Sequence, residues 1–426
     1  MKRLILLLFS SLTVLVGMAQ HTLDECQRLA REHYPEIRQY DLISKTESYT
    51  LSNIARSWIP QIGMSAQATW QTNVPTLPNV LTDMLSKQGV DMPGMEKDQY
   101  KWALELNQHI WDGGKSKADR DVARSEANEQ RVATDVNLYA LEGRVNNIYF
   151  GILLLDERIK QMNLTKELLR NNWEKVRSLQ QNGIATPSDA DAMEAEMLTV
   201  GQQIVSMEAA RNSYRNMLEI LIGESLGSEK LIRPDMNEPI ALDSARPELA
   251  LFDAKMNRLK AQEQQVKVST RPRFGLFAQG FYGYPGLDMF EGMLTDNWSW
   301  NAMIGVKMNW NIGAFYTKKN NLQKLRTAQQ QVNVQRDIFL FNTSLQTTEN
   351  HGVIKNLKEA LADDDKIVKL RSSVRKAAEA KLENGIIDTN DLLRKITEEA
   401  QATTARSARE IELLKAIYEL KHTVNQ

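Results

Sequence analysis

The chain of 426 residues carries 53 Lys and Arg against 54 Asp and Glu, which gives a formal net charge of −1. This balance excludes the strong positive field by which nucleic-acid-binding proteins attract their ligand. A single cysteine, Cys26, excludes an internal disulfide, and we expect it to be a small buried side chain in the first helix.

Residues 1–19 have the pattern of a secretory signal peptide. Lys2 and Arg3 precede the apolar run 4–16, and small residues occupy the −3 and −1 positions of a cleavage site before Gln20. Cys26 lies too far along the chain to carry a lipid anchor. The signal peptide predicts an exported protein. Because no later run reaches about 18 apolar residues, we expect any membrane span to be a β-strand.

Residues 20–222 form the first of two predicted structural repeats. Thr22 and Glu25 have the spacing of a capping box, which opens a helix reaching about Ser57. A strand–loop–strand unit follows at 60–111, with a loop at 75–99 that is rich in proline and glycine. In each strand apolar side chains alternate with polar ones, and the apolar members are Ile62, Met64, Ala66, Ala68 and Trp70, then Tyr100, Trp102, Leu104, Leu106 and Ile110.

A helical hairpin completes the first repeat. The helix from Lys115 to about Gln181 should be roughly 100 Å long, and it carries the seven-residue apolar repeat of a coiled coil. A tip turn at 182–186 ends it by glycine, and a return helix opens with Pro187 at its first position. The seam residues are Leu141, Val145, Ile148, Ile152, Leu155, Ile159, Met162, Leu169, Trp173 and Val176, then Met193, Met197, Val200, Ile204, Met207, Tyr214, Leu218 and Leu221.

After a linker at 223–246, which we assign to an equatorial region, the same order of elements returns in the second repeat, 247–426. The strand–loop–strand unit lies at 272–310, with its loop at 285–297, and the second tip turn lies at 384–388. A long helix precedes that turn and a return helix follows it. The apolar seam of the second long helix is weaker, because Gly352 and Asp364 interrupt it.

Aromatic residues cluster at both ends of the four strands, as two membrane-interface belts would require. Each strand offers about ten alternating residues, the length that a tilted strand needs to cross a bilayer. A soluble sheet with one buried face is the alternative for any single strand. The candidate interface aromatics are Trp58, Trp111 and Trp310 on the helix side, and Trp70, Trp102, Tyr282, Trp298 and Trp300 on the loop side.

Four strands are too few to close a barrel, for which about eight is the practical minimum. An open sheet edge in lipid leaves backbone groups without hydrogen-bond partners, which is prohibitively costly. We therefore expect the strands of several chains to be pooled in an obligate oligomer.

These features resemble the TolC-like outer membrane efflux proteins. The resemblance covers the whole mature chain and rests on a combination of motifs: Thr22–Cys26 with Pro35–Ile37, the duplicated strand–loop–strand units that end in Asp112–Gly114 and Asn311–Gly313, and the paired Asn-Gly-Ile turns. It implies a mainly α, α+β membrane protein that trimerises into a twelve-stranded β-barrel on an α-helical periplasmic tunnel. It also implies an outer-membrane exit duct for a tripartite efflux pump or a type I secretion system.

The resemblance further implies partners and site residues. A periplasmic adaptor would dock at the tips, Asn182, Gly183, Ile184, Asn384, Gly385 and Ile386, and would connect the homotrimer to an inner-membrane transporter of the RND or ABC type. Asp189 and Asp391 become candidates for the periplasmic entrance and gate. Arg394 stands where a second acid is common in the family, so ion preference stays open. Without the resemblance, Asp189 and Asp391 are helix-capping residues.

The sequence shows no pattern that indicates an enzyme. Gly114–Ser116 resembles the end of a phosphate-binding loop, but His109 occupies the place of its first glycine. The five histidines have no metal-ligand or triad spacing, and the methionines of the first loop and hairpin are expected to fill space. We therefore expect no catalytic, cofactor or metal site. The remaining alternative is a secreted coiled-coil structural or adaptor protein with a soluble sheet.

Overall fold

The computed structural model describes residues 21–92, 94–227, 230–235 and 246–424. The predicted signal peptide and much of the predicted linker lie outside these ranges. The elements are α1 (Leu23–His33), α2 (Gln39–Arg56), β1 (Gln61–Trp70), α3 (Asn79–Lys87), β2 (Asp98–Trp111), α4 (Lys115–Gln181), α5 (Pro187–Ile222), α6 (Pro247–Val268), β3 (Arg273–Tyr284), α7 (Met289–Leu294), β4 (Ser299–Asn309), α8 (Ala314–Glu383) and α9 (Thr389–Val424).

The described residues fall into two compact units, neither of which is a sequence repeat. The first contains the described parts of 1–38, 134–249 and 337–426, and the second contains 39–133 and 250–336. Each unit takes elements from both repeats. The first unit is entirely helical apart from its turns and linker segments, whereas the second holds the sheet.

The sheet has four strands in the order β1–β2–β3–β4, and every pair is antiparallel. The predicted alternation is confirmed, because the apolar positions pair with one another across strands, as in Met64 opposite Leu104. The two repeats meet where β2 pairs with β3. β1 and β4 are the edge strands, and each has one side without a partner within the described chain.

A β-bulge near the end of β2 corrects one predicted side-chain position. The register shifts between His109 and Trp111, so that Trp111 lies opposite Phe274. We predicted Ile110 on the apolar face from simple alternation. The extra residue reverses the phase at this point and brings Trp111 onto the apolar face.

The predicted single helix from Thr22 to about Ser57 is wrong, because the structure divides it. After α1, the residues Pro35–Arg38 form a 3-10 turn and α2 starts at Gln39. Pro35 has no N–H to donate and disfavours helical geometry at Tyr34, whose backbone is extended. Thr22 caps α1 by accepting from the Glu25 N–H at 3.2 Å, while the Glu25 carboxylate pairs with Arg28 at 2.6 Å.

Both stretches that we predicted as loops contain short helices. α3 lies within 75–99, and α7 lies within 285–297, where the Asp288 carboxylate accepts from the N–H groups of Phe290 and Glu291. Each helix is flanked by the turn residues that suggested a loop. Each helix is too short for its apolar residues to show a helical period in the sequence.

The helical core lies mainly on α4 and α9. The seam residues that we predicted on α4 are largely buried, with Val145, Ile152 and Val176 fully enclosed. On α5, Met193, Val200 and Leu218 are buried, whereas Tyr214 is 39% exposed. Cys26 is a buried free thiol on α1, as expected. No helix in the described part of the chain combines the length and hydropathy of a membrane span.

Candidate functional site at the hairpin turns and the sheet

The two hairpin tips have the same backbone geometry. At the end of α4, Gly183 has φ +75°, its N–H donates to the Gln180 carbonyl at 3.0 Å, and the Ile184 N–H donates to the Leu179 carbonyl at 2.9 Å. At the end of α8 the corresponding donors, Gly385 and Ile386, use Leu382 and Lys381 at 2.9 and 2.8 Å. This pair of bonds is a Schellman motif, which needs a left-handed residue at the glycine position.

Each tip exposes one large apolar side chain. Ile184 and Ile386, which stand at equivalent places in the two repeats, are 67% and 68% exposed. A Cβ atom added at Gly183 or Gly385 would meet nothing within 4 Å, so the tips are open on their outer side. A single exposed isoleucine is ordinary on a protein surface, but both turns expose one at the same position.

Behind the turns, one apolar cluster unites the adjoining ends of α4, α5, α8 and α9. The tip residues Ala185 and Ile387 pack against it, and its buried members are Ile159, Leu169, Val176, Ala190, Met193, Val200, Ile204, Ala378, Leu392 and Ile396. The Lys175 ammonium and the Glu383 carboxylate form an ion pair at 2.9 Å between α4 and α8. The tips are therefore held together as one surface.

Asp189 closes a capping box at the start of α5. Its carboxylate accepts from the Thr186 N–H at 2.8 Å and from the Thr186 hydroxyl at 2.6 Å. These two bonds, together with one from the Thr389 hydroxyl, lower the pKa of Asp189 below its usual range. The contact with Thr389 joins the first tip to the start of α9, a link that the sequence spacing did not predict.

Asp391 has a different role, although it occupies the equivalent position. At the start of α9 the cap is Asp388, whose carboxylate accepts from the Asp391 N–H at 2.8 Å. The Asp391 carboxylate accepts instead from the Arg394 guanidinium at 3.0 Å. The structure thus brings two of the three predicted entrance residues together in one exposed ion pair and places the third in a cap.

One face of the sheet is apolar and exposed. Trp300 and Ile304 are 82% and 81% exposed, and the corresponding positions of the other strands, such as Met64 and Leu104, are also exposed. A contiguous apolar face of this size on a monomer indicates contact with a partner or a membrane.

The candidate interface aromatics are all exposed and form rows. Trp102, Tyr282 and Trp300 lie opposite one another on β2, β3 and β4, and the Tyr282 and Trp300 ring centroids are 5.0 Å apart. Trp298 stacks on Tyr100 at 5.8 Å, while Trp70 ends β1.

The helix-side aromatics mark the other end of the strands. The indole N–H of Trp58 donates to the Ser116 hydroxyl at 3.1 Å, and that of Trp310 donates to the Thr270 carbonyl at 3.0 Å. The Trp111 ring lies 5.9 Å from the Phe274 ring. Trp58 and Trp310 thus have an exposed ring and a satisfied polar end, the combination that is typical of membrane-interface tryptophans.

The opposite face of the sheet is polar, with a network at its centre. The Lys101 ammonium donates to the Gln279 side-chain oxygen at 3.2 Å, and the Gln279 amide donates to the Glu105 carboxylate at 2.7 Å. Two aromatic residues that we did not predict there, Phe277 and Phe281, also lie on this face. Phe281 is buried beneath Lys101, whose ammonium lies 4.2 Å from the ring centre.

Within the described ranges, no group of three or more His, Cys, Asp or Glu side chains is arranged to hold a metal ion.

Comparison with known proteins gives a consistent result. Residues 29–224, most of the first repeat, match the family model described as outer membrane efflux protein. No curated protein matches the chain. Several solved structures match. Their sequence identities to this chain are low, so they show a shared fold and no more.

The outer membrane protein VceC of Vibrio cholerae is 14% identical, with a TM-score of 0.69 over 94% of this chain and 95% of that one. The CmeC outer membrane channel of Campylobacter jejuni is 13% identical, with a TM-score of 0.66 over 94% and 85%. The open state of the MtrE outer membrane channel of Neisseria gonorrhoeae is 14% identical, with a TM-score of 0.65 over 94% and 88%.

These matches confirm the resemblance to the outer membrane efflux proteins that the sequence predicted. The predicted mainly α, α+β fold is confirmed by the solved structures.

Proposed function

We propose that this chain, which resembles the outer membrane efflux proteins, is the exit duct of a tripartite efflux pump or a type I secretion system. It would act as a homotrimer and as a passive conduit, and we expect an inner-membrane transporter to supply the energy. The observation that carries the proposal is a four-stranded sheet with an exposed apolar face and two unpaired edges.

The order of the strands allows the edges to pair between copies. Because all neighbours are antiparallel, β4 of one copy and β1 of the next would also meet in antiparallel fashion. Each unpaired backbone group in lipid would cost several kcal/mol, so closure is strongly favoured. Two copies would only reach the practical minimum of about eight strands, and the family resemblance favours three.

A second unpartnered surface supports self-association. Helix α8 exposes apolar side chains at steps of four and three, and they are Val334, Ile338, Phe341 and Leu345, then Ile367, Leu370 and Val374. Such spacing is the seam of a coiled coil. We propose that a helix of a neighbouring copy covers it.

The hairpin tips are our proposed docking site for the periplasmic adaptor. Open space outside Gly183 and Gly385 and the exposure of Ile184 and Ile386 support this assignment. The adaptor would in turn connect the trimer to an RND or ABC transporter. Opening would then be a shift between closed and open arrangements of the hairpins that adaptor binding favours.

The residues Asp189, Asp391 and Arg394 are our proposed entrance group. Asp189 is held ionised by its cap and its contact with Thr389. Asp391 and Arg394 form a pair whose charges largely cancel, so we propose that Asp189 dominates the electrostatic effect of this group on cations.

The first experiment is the native mass of the protein extracted in detergent. Three copies per particle are expected, and conductance in a lipid bilayer would follow. A monomer that stays dispersed in water without detergent would overturn the proposal and favour the secreted coiled-coil alternative.

A pair of neighbouring variants sharpens this test. Ile304→Lys places a charge on the exposed apolar face, where lysine costs about 2–4 kcal/mol in a bilayer. Met303→Lys places the same charge one residue away, on the polar face opposite Gln279. We expect the first variant alone to lose membrane insertion. Equal insertion of both would show that the apolar face does not contact lipid.

A further inference from the structure

A cationic recess lies where β3 and β4 meet the start of α8. It has a volume of about 500 Å³. Two arginines line it together with neutral polar groups, and its lining contains no acidic side chain. The polar and charged lining residues are Ser269, Arg271, Arg273, Asn309, Asn311 and Thr317. We refer to this group as the arginine recess.

The two arginines are held in place by the fold. Arg271 packs against the turn that follows β2 and donates one N–H to the Gly113 carbonyl at 3.2 Å. Arg273 is the first residue of β3 and lies opposite Asn309, on the polar face of the sheet. In the part of the chain that the structure describes, neither guanidinium forms an ion pair, so most of their N–H groups remain available.

The first repeat has different residues at the equivalent positions, although it has the same elements. The residues in place of Arg271 and Arg273 are Ile59 and Gln61. In the first repeat Asp112 caps the following helix by accepting from the Gly114 and Ser116 N–H groups at 2.9 and 2.6 Å. In the second repeat Asn311 does the equivalent, accepting from the Ala314 N–H at 3.2 Å.

Asn311 in place of Asp112 keeps the helix cap but removes its negative charge. The second repeat thus has two arginines and a neutral cap where the first has Ile59, Gln61 and an acidic cap, while Lys115 of the first repeat stands in place of Ala314. Further along the same face, Lys307 and His109 lie on either side of Gly275. Glu105 is already engaged by Gln279. The local charge is therefore positive.

We propose that the arginine recess binds a phosphate-type anionic group. Guanidinium groups match phosphate oxygens with paired N–H donors, and the asparagine amides supply further donors. The recess opens on the polar face, away from the exposed apolar face. If the proposed function holds, that face lines the conduit, and the recess is then a subsite for anionic solutes in transit rather than for a lipid headgroup.

Pyrophosphate binding to the detergent-solubilised protein tests this inference by calorimetry. Wild type is expected to bind at one site per chain. The double variant Arg271→Ile with Arg273→Gln gives the second repeat the residues found at the equivalent positions of the first, so the fold should tolerate it. It should weaken binding by about 10-fold or more, because two charge-assisted hydrogen-bonding groups are lost. Lys324→Gln, which removes an exposed cation elsewhere on α8, should leave binding unchanged.

Each outcome decides the inference. Equal binding by the double variant, or no binding by wild type, overturns it; the latter is also the result expected if a neighbouring copy fills the recess. Lipid A that displaces pyrophosphate more strongly than free phosphate would identify a lipid headgroup as the ligand and overturn the solute assignment. Native mass and conductance of the same samples report on the proposed function separately, since a trimeric channel that does not bind pyrophosphate contradicts this inference alone.

Discussion

The two hairpins have nearly identical tips but different interactions along their length. In the first hairpin, α4 and α5 meet through buried apolar side chains such as Leu169, Met193 and Val200. In the second, only three of the 70 residues of α8 are buried. Besides an apolar cluster in which Ile354 of α8 packs with α9 residues such as Leu413 and Leu420, ion pairs join the two helices. These pairs are Asp364 with Arg409, Asp365 with Arg406, Arg371 with Glu398, and Arg375 with Glu399.

This difference shows which features a duplicated hairpin must keep. The tip turn depends on a few local backbone bonds, and both copies retain it. The contact between helices can be made by apolar or by charged groups, as long as each pair is complementary. Arg375 illustrates the second solution: burial disfavours its charge, yet hydrogen bonds and charge from Glu399 and Glu379 outweigh that effect and raise its pKa.

The largest effect should come from the feature that the hairpins share. Gly385→Trp places a bulky side chain on the open side of the tip and strains a residue at φ +66°, so export should be lost while the trimer stays in the membrane. Gly183→Trp should behave alike if the tips are equivalent. Gly385→Asn is the control, since asparagine tolerates the left-handed conformation. Export by the Trp variants would exclude the tips as the docking site.

In the second hairpin, Arg375→Ala leaves two half-buried carboxylates without their partner. Breaking such a pair costs about 3–5 kcal/mol, whereas replacing both members by apolar residues is often nearly neutral. We therefore expect fast hydrogen exchange in α8 and α9 for Arg375→Ala and near-normal exchange for Arg375→Leu with Glu399→Leu. Equal destabilisation by both would show that packing, rather than charge, joins these helices.

In the first hairpin, Met193→Ala removes a fully buried side chain. The cavity should cost about 2–5 kcal/mol, seen as faster hydrogen exchange in α4 and α5. The effect should not change with salt, whereas screening by salt weakens exposed pairs such as Arg371 with Glu398. A salt-dependent effect of Met193→Ala would contradict the division between the two hairpins.

The capping box of the first hairpin predicts a smaller, pH-dependent effect. Asp189→Asn should destabilise the tip by about 0.5–2 kcal/mol at neutral pH. Because the folded-state pKa of Asp189 is depressed, its stabilisation is complete above the unfolded pKa of about 3.9. It is lost as the pH falls through the folded pKa. Thermal midpoints of the two proteins should therefore converge in acid, and a constant difference would argue against an ionised cap.

The smallest effect is expected at the equivalent position of the second hairpin. Asp391→Asn removes the partner of an exposed arginine, where an ion pair contributes at most about 1 kcal/mol. Stability should hardly change, but the released charge of Arg394 should reduce cation selectivity of the conducting trimer. Unchanged selectivity and closure would remove Asp391 from the entrance group. Asp189→Asn, measured in the same way, should give the larger change in selectivity.

Local sequence patterns predicted the tips and strands well because local forces make them. The turn at Gly183 needs one residue that adopts positive φ, and its bonds reach no further than Leu179. Alternation in β1 separates an apolar face from a polar face, and it can be read from side-chain period alone. The break in the first helix at Pro35 is also a local effect. Our prediction of one continuous helix to about Ser57 was wrong because it ignored this proline.

Contacts between distant residues could not be predicted in this way. The repeat pattern placed Asp189 and Asp391 at equivalent positions, but the tertiary structure gave one of them Thr389 and the other Arg394 as a partner. Glu399 is separated from Arg375 by 24 residues and a turn, so its pairing depends on how two helices align.

The sequence by itself thus determined the strands, the long helices of the hairpins and the tip turns, since each depends on neighbours within one or two helical turns or on side-chain period along a strand. The tertiary structure alone decided the bulge at Ile110, the ion pairs of the second hairpin and the arginine recess. Each of these arises where separate segments meet, and the free energy there depends on distances and burial that no single stretch of sequence specifies.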